Sequence, residues 1–162
     1  MEDLNIWAAK AAITELLARY ALTVDSGDAA GFAALFTENA VWEWPAVNLA
    51  YRGRKSIEAL AAAIEANIPG AYHMQTHPVI DVSGDSARSV CQFVAYLSRP
   101  EQIYTLMTGR YKDELVLQNG RWLIDKRQVE VANPEIISQG KIGEYYKPLM
   151  ANLPPGETPE TA

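Results

Sequence analysis

Both histidines of the chain fall in one short stretch, "AYHMQTHPV" at residues 71–79, as His73 and His77. An unperturbed imidazole titrates near neutral pH, so either ring is a candidate proton carrier. The stretch reads as a strand, and residues four apart on an unbroken strand share a face, here with Gln75 and Val79. Alternation therefore cannot choose between the two rings, and a bulge would separate them. His77, next to Pro78, has the plainer reading of a hydrogen-bonded structural residue. Metal binding is not expected, because two histidines at strand spacing lack the further ligands a site requires.

Three other residues have types suited to orienting such a ring or stabilising negative charge. Asp25 stands in the last turn of a helix, where a carboxylate opposes the negative end of the macrodipole. It either opens an Asx turn through "DSGD" or accepts a hydrogen bond from an imidazole and fixes its tautomer. Tyr20 falls on the apolar stripe of the same helix. It is either core or a pocket-wall phenol that can donate to a carbonyl or leaving oxygen. Arg127 alternates in phase with Leu123 and Val129. Pointing inward it needs a carboxylate or an anionic leaving group; pointing outward it is solvated. Trp42 and Trp44 share a face, as do Met107, Tyr111, Asp113 and Leu115. These faces supply either core or the lining of a substrate pocket.

The elements that must position these groups are legible as patterns. From Ile6 to Val24, Ile13, Leu16, Leu17, Tyr20 and Val24 recur at helical spacing. Gly27 suits a helix C-terminus, and Asp28 suits the N-cap of a second helix over 29–36. "AVWEWP" (40–45) and "LAYRG" (49–53) read as short strands, and "KSIEALAAAIEAN" (55–67) as a third helix. From residue 72 the pattern is β. "YHMQTHPVIDVS" turns at Gly84-Asp85 into "SARSVCQFVAYLSR". Beyond Pro100 runs "IYTLMTGRYKDELVLQ", and Asn119-Gly120 marks a hairpin into "RWLIDKRQVEVA". Helices followed by strands predict an α+β domain over residues 1–132, with three N-terminal helices on a mostly antiparallel sheet. Residues 133–162 read as a C-terminal extension. Ile136, Ile137, Tyr145, Tyr146, Leu149 and Met150 are too apolar for a free linker and should dock. "LPPGETPETA" (153–162) is polar and proline-rich and is expected to be mobile.

Composition limits the function classes. The chain has 162 residues, enough for one domain that buries a full core. Its net charge of −6 argues against a nucleic-acid or anionic-membrane partner. A single cysteine, Cys91, excludes an internal disulfide. No apolar run approaches the ~18 residues of a membrane span. The opening "MEDLNIWAAK" lacks a basic-then-apolar leader, so a cytoplasmic location is expected.

The order "ARYALTVDSGDAAGFAALFTENAVWEW", "YRGRKSIEAL", a His-bearing strand and "GRYKDELVLQNGRWLIDKR" resembles the SnoaL-like polyketide cyclase family over about residues 5–131. The resemblance implies the cone-shaped α+β barrel of nuclear transport factor 2, scytalone dehydratase and ketosteroid isomerase, with a curved sheet. Within the family the sequence looks most like the trimeric lyases: scytalone dehydratase, bile acid 7α-dehydratase and hexachlorocyclohexane dehydrochlorinase. These pair an aspartate ending the first helix with a histidine on the first long strand, which selects Asp25 and His73. Tyr20 matches a tyrosine of the bile acid enzyme where the dehydrochlorinase has a lysine, favouring a carbonyl-activated substrate. Arg127 matches an arginine of the dehydrochlorinase. The second active-site histidine of scytalone dehydratase has no counterpart here, which leaves the substrate open. Asp113 matches the oxyanion-hole acid of ketosteroid isomerase, but that enzyme's basic aspartate is Trp44 here.

The resemblance thus implies a cofactor-free lyase, a dehydratase or related eliminase, acting on a small apolar cyclic substrate. His73, held by Asp25, would be general base, with Tyr20 and Arg127 stabilising negative charge. Trp42, Trp44, Met107, Tyr111 and Asp113 would surround the substrate. Two alternatives stand beside it: an isomerase or polyketide-type cyclase, and a non-catalytic ligand-binding or dioxygenase small-subunit-like protein. A homotrimer is expected in the first case.

Overall fold

The computed structural model describes residues 2–135 and 140–159. Helix α1 (Glu2–Asp25) is followed by the short α2 (Ala29–Ala33). Strand β1 (Phe36–Trp44) leads through a 3-10 turn (Pro45–Val47) to β2 (Leu49–Arg52) and helix α3 (Arg54–Asn67). Strands β3 (Ala71–Gln75), β4 (Val79–Ser83), β5 (Ser86–Ser98), β6 (Ile103–Gln118) and β7 (Arg121–Val131) follow, then α4 (Gly140–Asn152).

The sheet order is β2-β1-β7-β6-β5-β3, with β4 also paired to β5. Among the described residues only the β1–β7 pair is parallel, so the sheet is mostly antiparallel, as expected. Bulges in the β5–β6, β6–β7 and β1–β7 pairs curl it into a cone. Helix α1 lies against β3 and β7, and α3 against β1 and β2. The α1 stripe of Ile13, Leu16, Leu17, Tyr20 and Val24 is buried against the sheet's inner face. On β5 the odd positions from Ala87 to Leu97 are buried and the even ones largely face solvent. No helix among the described residues is long and apolar enough to cross a membrane.

Several elements depart from the local pattern, each for a tertiary reason. The helix expected over 29–36 stops at Ala33, because Leu35 and Phe36 join β7: the Ile124 amide donates to the Leu35 carbonyl at 2.9 Å. Asp28 still caps α2, accepting from the Gly31 amide at 2.9 Å. The run 72–83 is two strands. Gln75 pairs with Phe93 and Val79 with Val90, so three residues on one side oppose two on β5. This offset reverses the alternation: His73 and Gln75 turn inward, and then Ile80 does.

The C-terminal extension docks through Tyr146 and Leu149, both buried. Ile136 and Ile137 lie outside the described residues. The stretch from 153 onward, expected to be mobile, runs back to the sheet edge as far as it is described. Ala50 and Glu157 exchange both backbone hydrogen bonds at 2.7 Å, and Arg52 pairs with Glu157 at 2.8 Å. The Tyr51 hydroxyl donates to the Pro154 carbonyl at 3.0 Å. The edge strand β2 has free backbone groups, and this latch satisfies them. Gly156 permits it, since a Cβ there would meet Leu49 at 2.5 Å and the Ala50 oxygen at 2.9 Å.

Candidate active site

Asp25 is the last residue of α1, where the chain turns through Gly27 at φ 71°. Both of its carboxylate oxygens go to one residue of β3. Oδ2 accepts from the His73 backbone amide at 2.9 Å, and Oδ1 lies 2.7 Å from His73 Nδ1. The carboxylate is acceptor-only, so the hydrogen of the pair sits on Nδ1 and Nε2 is left as the free ring position. A second tie holds β3 to α1: Gln75 Nε2 donates to the Leu17 carbonyl at 3.1 Å. Gln75 Oε1 accepts in turn from Cys91 Sγ at 3.4 Å. Burial pushes the Cys91 thiol up to about 11, which makes it a spacer and not a nucleophile.

His73 forms part of the wall of an inner cavity of about 70 Å³, together with Tyr20, Trp42, Trp44, Met107 and Tyr111. Tyr146, Leu149 and Leu153 of the extension close one side. Asp25 does not line this cavity. It sits behind His73, facing a separate outer groove that it shares with His77. His77 is exposed, because the three-against-two offset after Gln75 takes it out of phase. The geometry therefore separates the two rings that alternation could not.

Arg127 and Asp113 sit beneath the cavity, not in it. Arg127 is 0% exposed and grips Asp113 with two hydrogen bonds, Nε to Oδ1 at 2.6 Å and Nη2 to Oδ2 at 2.9 Å. Ser89 Oγ adds a third donor to Asp113 at 2.8 Å. The guanidinium carbon stacks 3.9 Å from the Tyr20 ring centre and 4.4 Å from that of Tyr111. Arg127, expected to meet a departing group directly, is thus screened from the cavity by these two rings. Burial by itself would lower the arginine's pKa. The Asp113 charge and its hydrogen bonds outweigh that and raise it, so the group stays cationic.

Burial raises the phenols of Tyr20 and Tyr111, despite the opposing pull of Arg127. Both remain neutral hydroxyls. Tyr20 Oη accepts from Trp42 Nε1 at 3.1 Å, which leaves its own hydrogen available to donate. Among the residues in contact, Ser89, Gln75, Tyr146 and Leu149 were not identified from sequence as belonging to the site. Ser89 had one signal, since it occupies an inward position of β5. Among the described residues, no three His, Cys, Asp or Glu side chains converge as a metal site would require.

A family described as "SnoaL-like domain" matches residues 6–128. None of the curated proteins compared with the chain matches it. Solved structures do. An aspartate-to-asparagine variant of a protein of unknown function from Mycobacterium tuberculosis is 26% identical, with TM-score 0.83, over 94% of this chain and 95% of that one. A candidate scytalone dehydratase from Novosphingobium aromaticivorans is 23% identical, with TM-score 0.71, over 82% and 89% of the two chains. The β subunit of a candidate aromatic-ring-hydroxylating dioxygenase from the same organism is 18% identical, with TM-score 0.69, over 78% and 90%. The likeness is to the NTF2-like architecture with its cystatin-like fold.

Proposed function

The chain belongs to the SnoaL-like domain family, and from that premise we propose that it is a cofactor-free lyase with His73 as general base. One observation carries the reading: the Asp25–His73 pair, closed at 2.7 Å, sets one ring against a mostly apolar cavity. His73 Nε2 takes a proton from a substrate carbon, and the electron pair of that C–H bond forms the new C=C bond as hydroxide or halide leaves the neighbouring carbon. Asp25 stabilises the imidazolium that results, the role an aspartate has in any such pair. In a dehydration the imidazolium then returns its proton to the departing oxygen, releasing water. The neutral Tyr20 hydroxyl donates to the substrate carbonyl and supports enolate character. Arg127, one ring behind, lends positive potential without touching the substrate.

The cavity is about half the ~150 Å³ in which an apolar site holds benzene. A cyclic substrate therefore requires Tyr146, Leu149 and Leu153 to give way. Incubation with a panel of cyclic β-hydroxy ketones and β-halo ketones, read by mass spectrometry, tests the reaction. Elimination removes one water or one hydrogen halide from the substrate mass. Conserved mass with an altered retention time would mean the isomerase or cyclase reading instead. The fold of a dioxygenase β subunit supports a third, non-catalytic reading, which constant co-purification with a large iron-bearing chain would favour.

Assembly belongs to the same proposal. Tyr72, Met74, Val90 and Val94 form an exposed apolar set on the outer sheet face. Such a face calls for cover, and a homotrimer supplies it. Sedimentation at micromolar concentration should give the trimer mass, and a stable monomer would contradict it.

A further inference from the structure

The two tryptophans of β1 both face the cavity and end differently. Trp42 Nε1 is satisfied by Tyr20. Trp44 is 5% exposed, lines the same cavity, and its Nε1 meets no acceptor among the described residues. Buried indole N–H groups normally find a partner, and a missing one is a cost that an acceptor would relieve. Among the described residues Arg127 Nη1 is the other buried donor without a partner, but it lies behind Tyr20 and Tyr111, outside the cavity. Among the described residues no carboxylate or amide side chain lines the cavity to accept from the Trp44 N–H.

Position adds direction to this. His73 is on β3 and Trp44 is on β1, next to β2, so they stand toward opposite edges of the sheet. Tyr20 lies on α1 between them, bonded to Trp42. A substrate bridging the cavity offers its reacting carbon at one end and another group at the other.

We propose that Trp44 is a specificity-determining residue whose indole N–H binds a neutral acceptor oxygen at the end of the substrate remote from the proton-yielding carbon. The acceptor is a ketone, ether or hydroxyl oxygen. "Remote" rests on His73 being the base, whereas the donor site itself is a statement about binding alone. A substrate of this class therefore carries two oxygen functions, one at each end of its ring system.

The test uses the full 15N-labelled chain and two ligands of one shape, cyclohexanone and methylenecyclohexane. The ketone should move the Trp44 indole N–H resonance downfield and bind about five- to tenfold more tightly than the hydrocarbon, the factor of one hydrogen bond. Trp44→Phe should cut that preference to what the Tyr20 hydroxyl alone supplies, while leaving hydrocarbon affinity in place. His73→Asn should retain it, so a failure of the general-base reading shows up separately, in turnover. If Trp44→Phe does not fold, the wild-type resonance decides, assigned by elimination from Trp7→Phe, Trp42→Phe and Trp122→Phe. An indole resonance that saturating ketone leaves unmoved, or a preference undiminished in Trp44→Phe, overturns the proposal.

Discussion

Replacing His73 with alanine is expected to lower turnover by about 10²–10⁴-fold, the usual contribution of a positioned general base. Little else should change. The side chain is 16% exposed and its loss takes one partner from Asp25 Oδ1, so the thermal midpoint should fall modestly, far less than turnover does. Its backbone amide keeps the bond to Asp25 Oδ2 in the variant, so β3 remains tied to α1. Asp25→Asn is the partner experiment. An amide can face Nδ1 with either end, so the tautomer is no longer fixed and the imidazolium loses its counter-charge. Turnover should fall there too, with substrate affinity nearly intact, because Asp25 does not reach the cavity. Undiminished turnover in His73→Ala would remove the proposed mechanism altogether.

The largest stability effect should come from Asp113→Ala. The substitution leaves the Arg127 guanidinium buried, charged and without its bidentate partner. Breaking such a pair from one side costs about 3–5 kcal/mol, a large part of an ordinary domain's stability. Urea unfolding should show it as a much lower midpoint at an unchanged slope. The double variant Asp113→Leu/Arg127→Met should regain much of the loss, because no charge is then stranded. Removing the Lys112–Glu130 pair, which is well exposed on the outer face, should change stability by less than about 1 kcal/mol. Equal effects from the two ion pairs would mean that solvent reaches Arg127.

The sequence pattern carried α1, α3, the β hairpins and the inward set on β5, because each rests on a local period or a local turn. Asn119-Gly120 is a case in point: both take positive φ, 51° and 74°, and Gln118 pairs with Arg121 across them. The Arg127–Asp113 pair was not legible for a related reason. Counting outward from that turn in strict register sets Asp113 opposite Lys126. A bulge near Glu114 and Leu115 slips β7 by one residue and brings Arg127 opposite Asp113 instead. Trp122 and Ile124, not Leu123, then join Arg127 and Val129 around the cone's interior. Nothing in the composition of "DELVLQNGRWLIDKR" marks where such a slip falls. The latch at Glu157 was hidden differently. Its residues are polar and proline-rich, and only the unpaired edge of β2 gives them somewhere to bind.

The three-against-two offset at residues 76–78 gives this linker one residue more than the stretch of β5 it faces. Deleting one residue there would set two against two and restore strict alternation between β3 and β4, with Ile80 still inward and now in phase with His73 and Gln75. Inserting one would set four residues against two and distort the crossing further. Thr76 and His77 are exposed, so point substitutions there should be absorbed, and a one-residue deletion should be borne more readily than an insertion. Among descendants of one ancestral gene this loop can therefore shed a residue more readily than gain one.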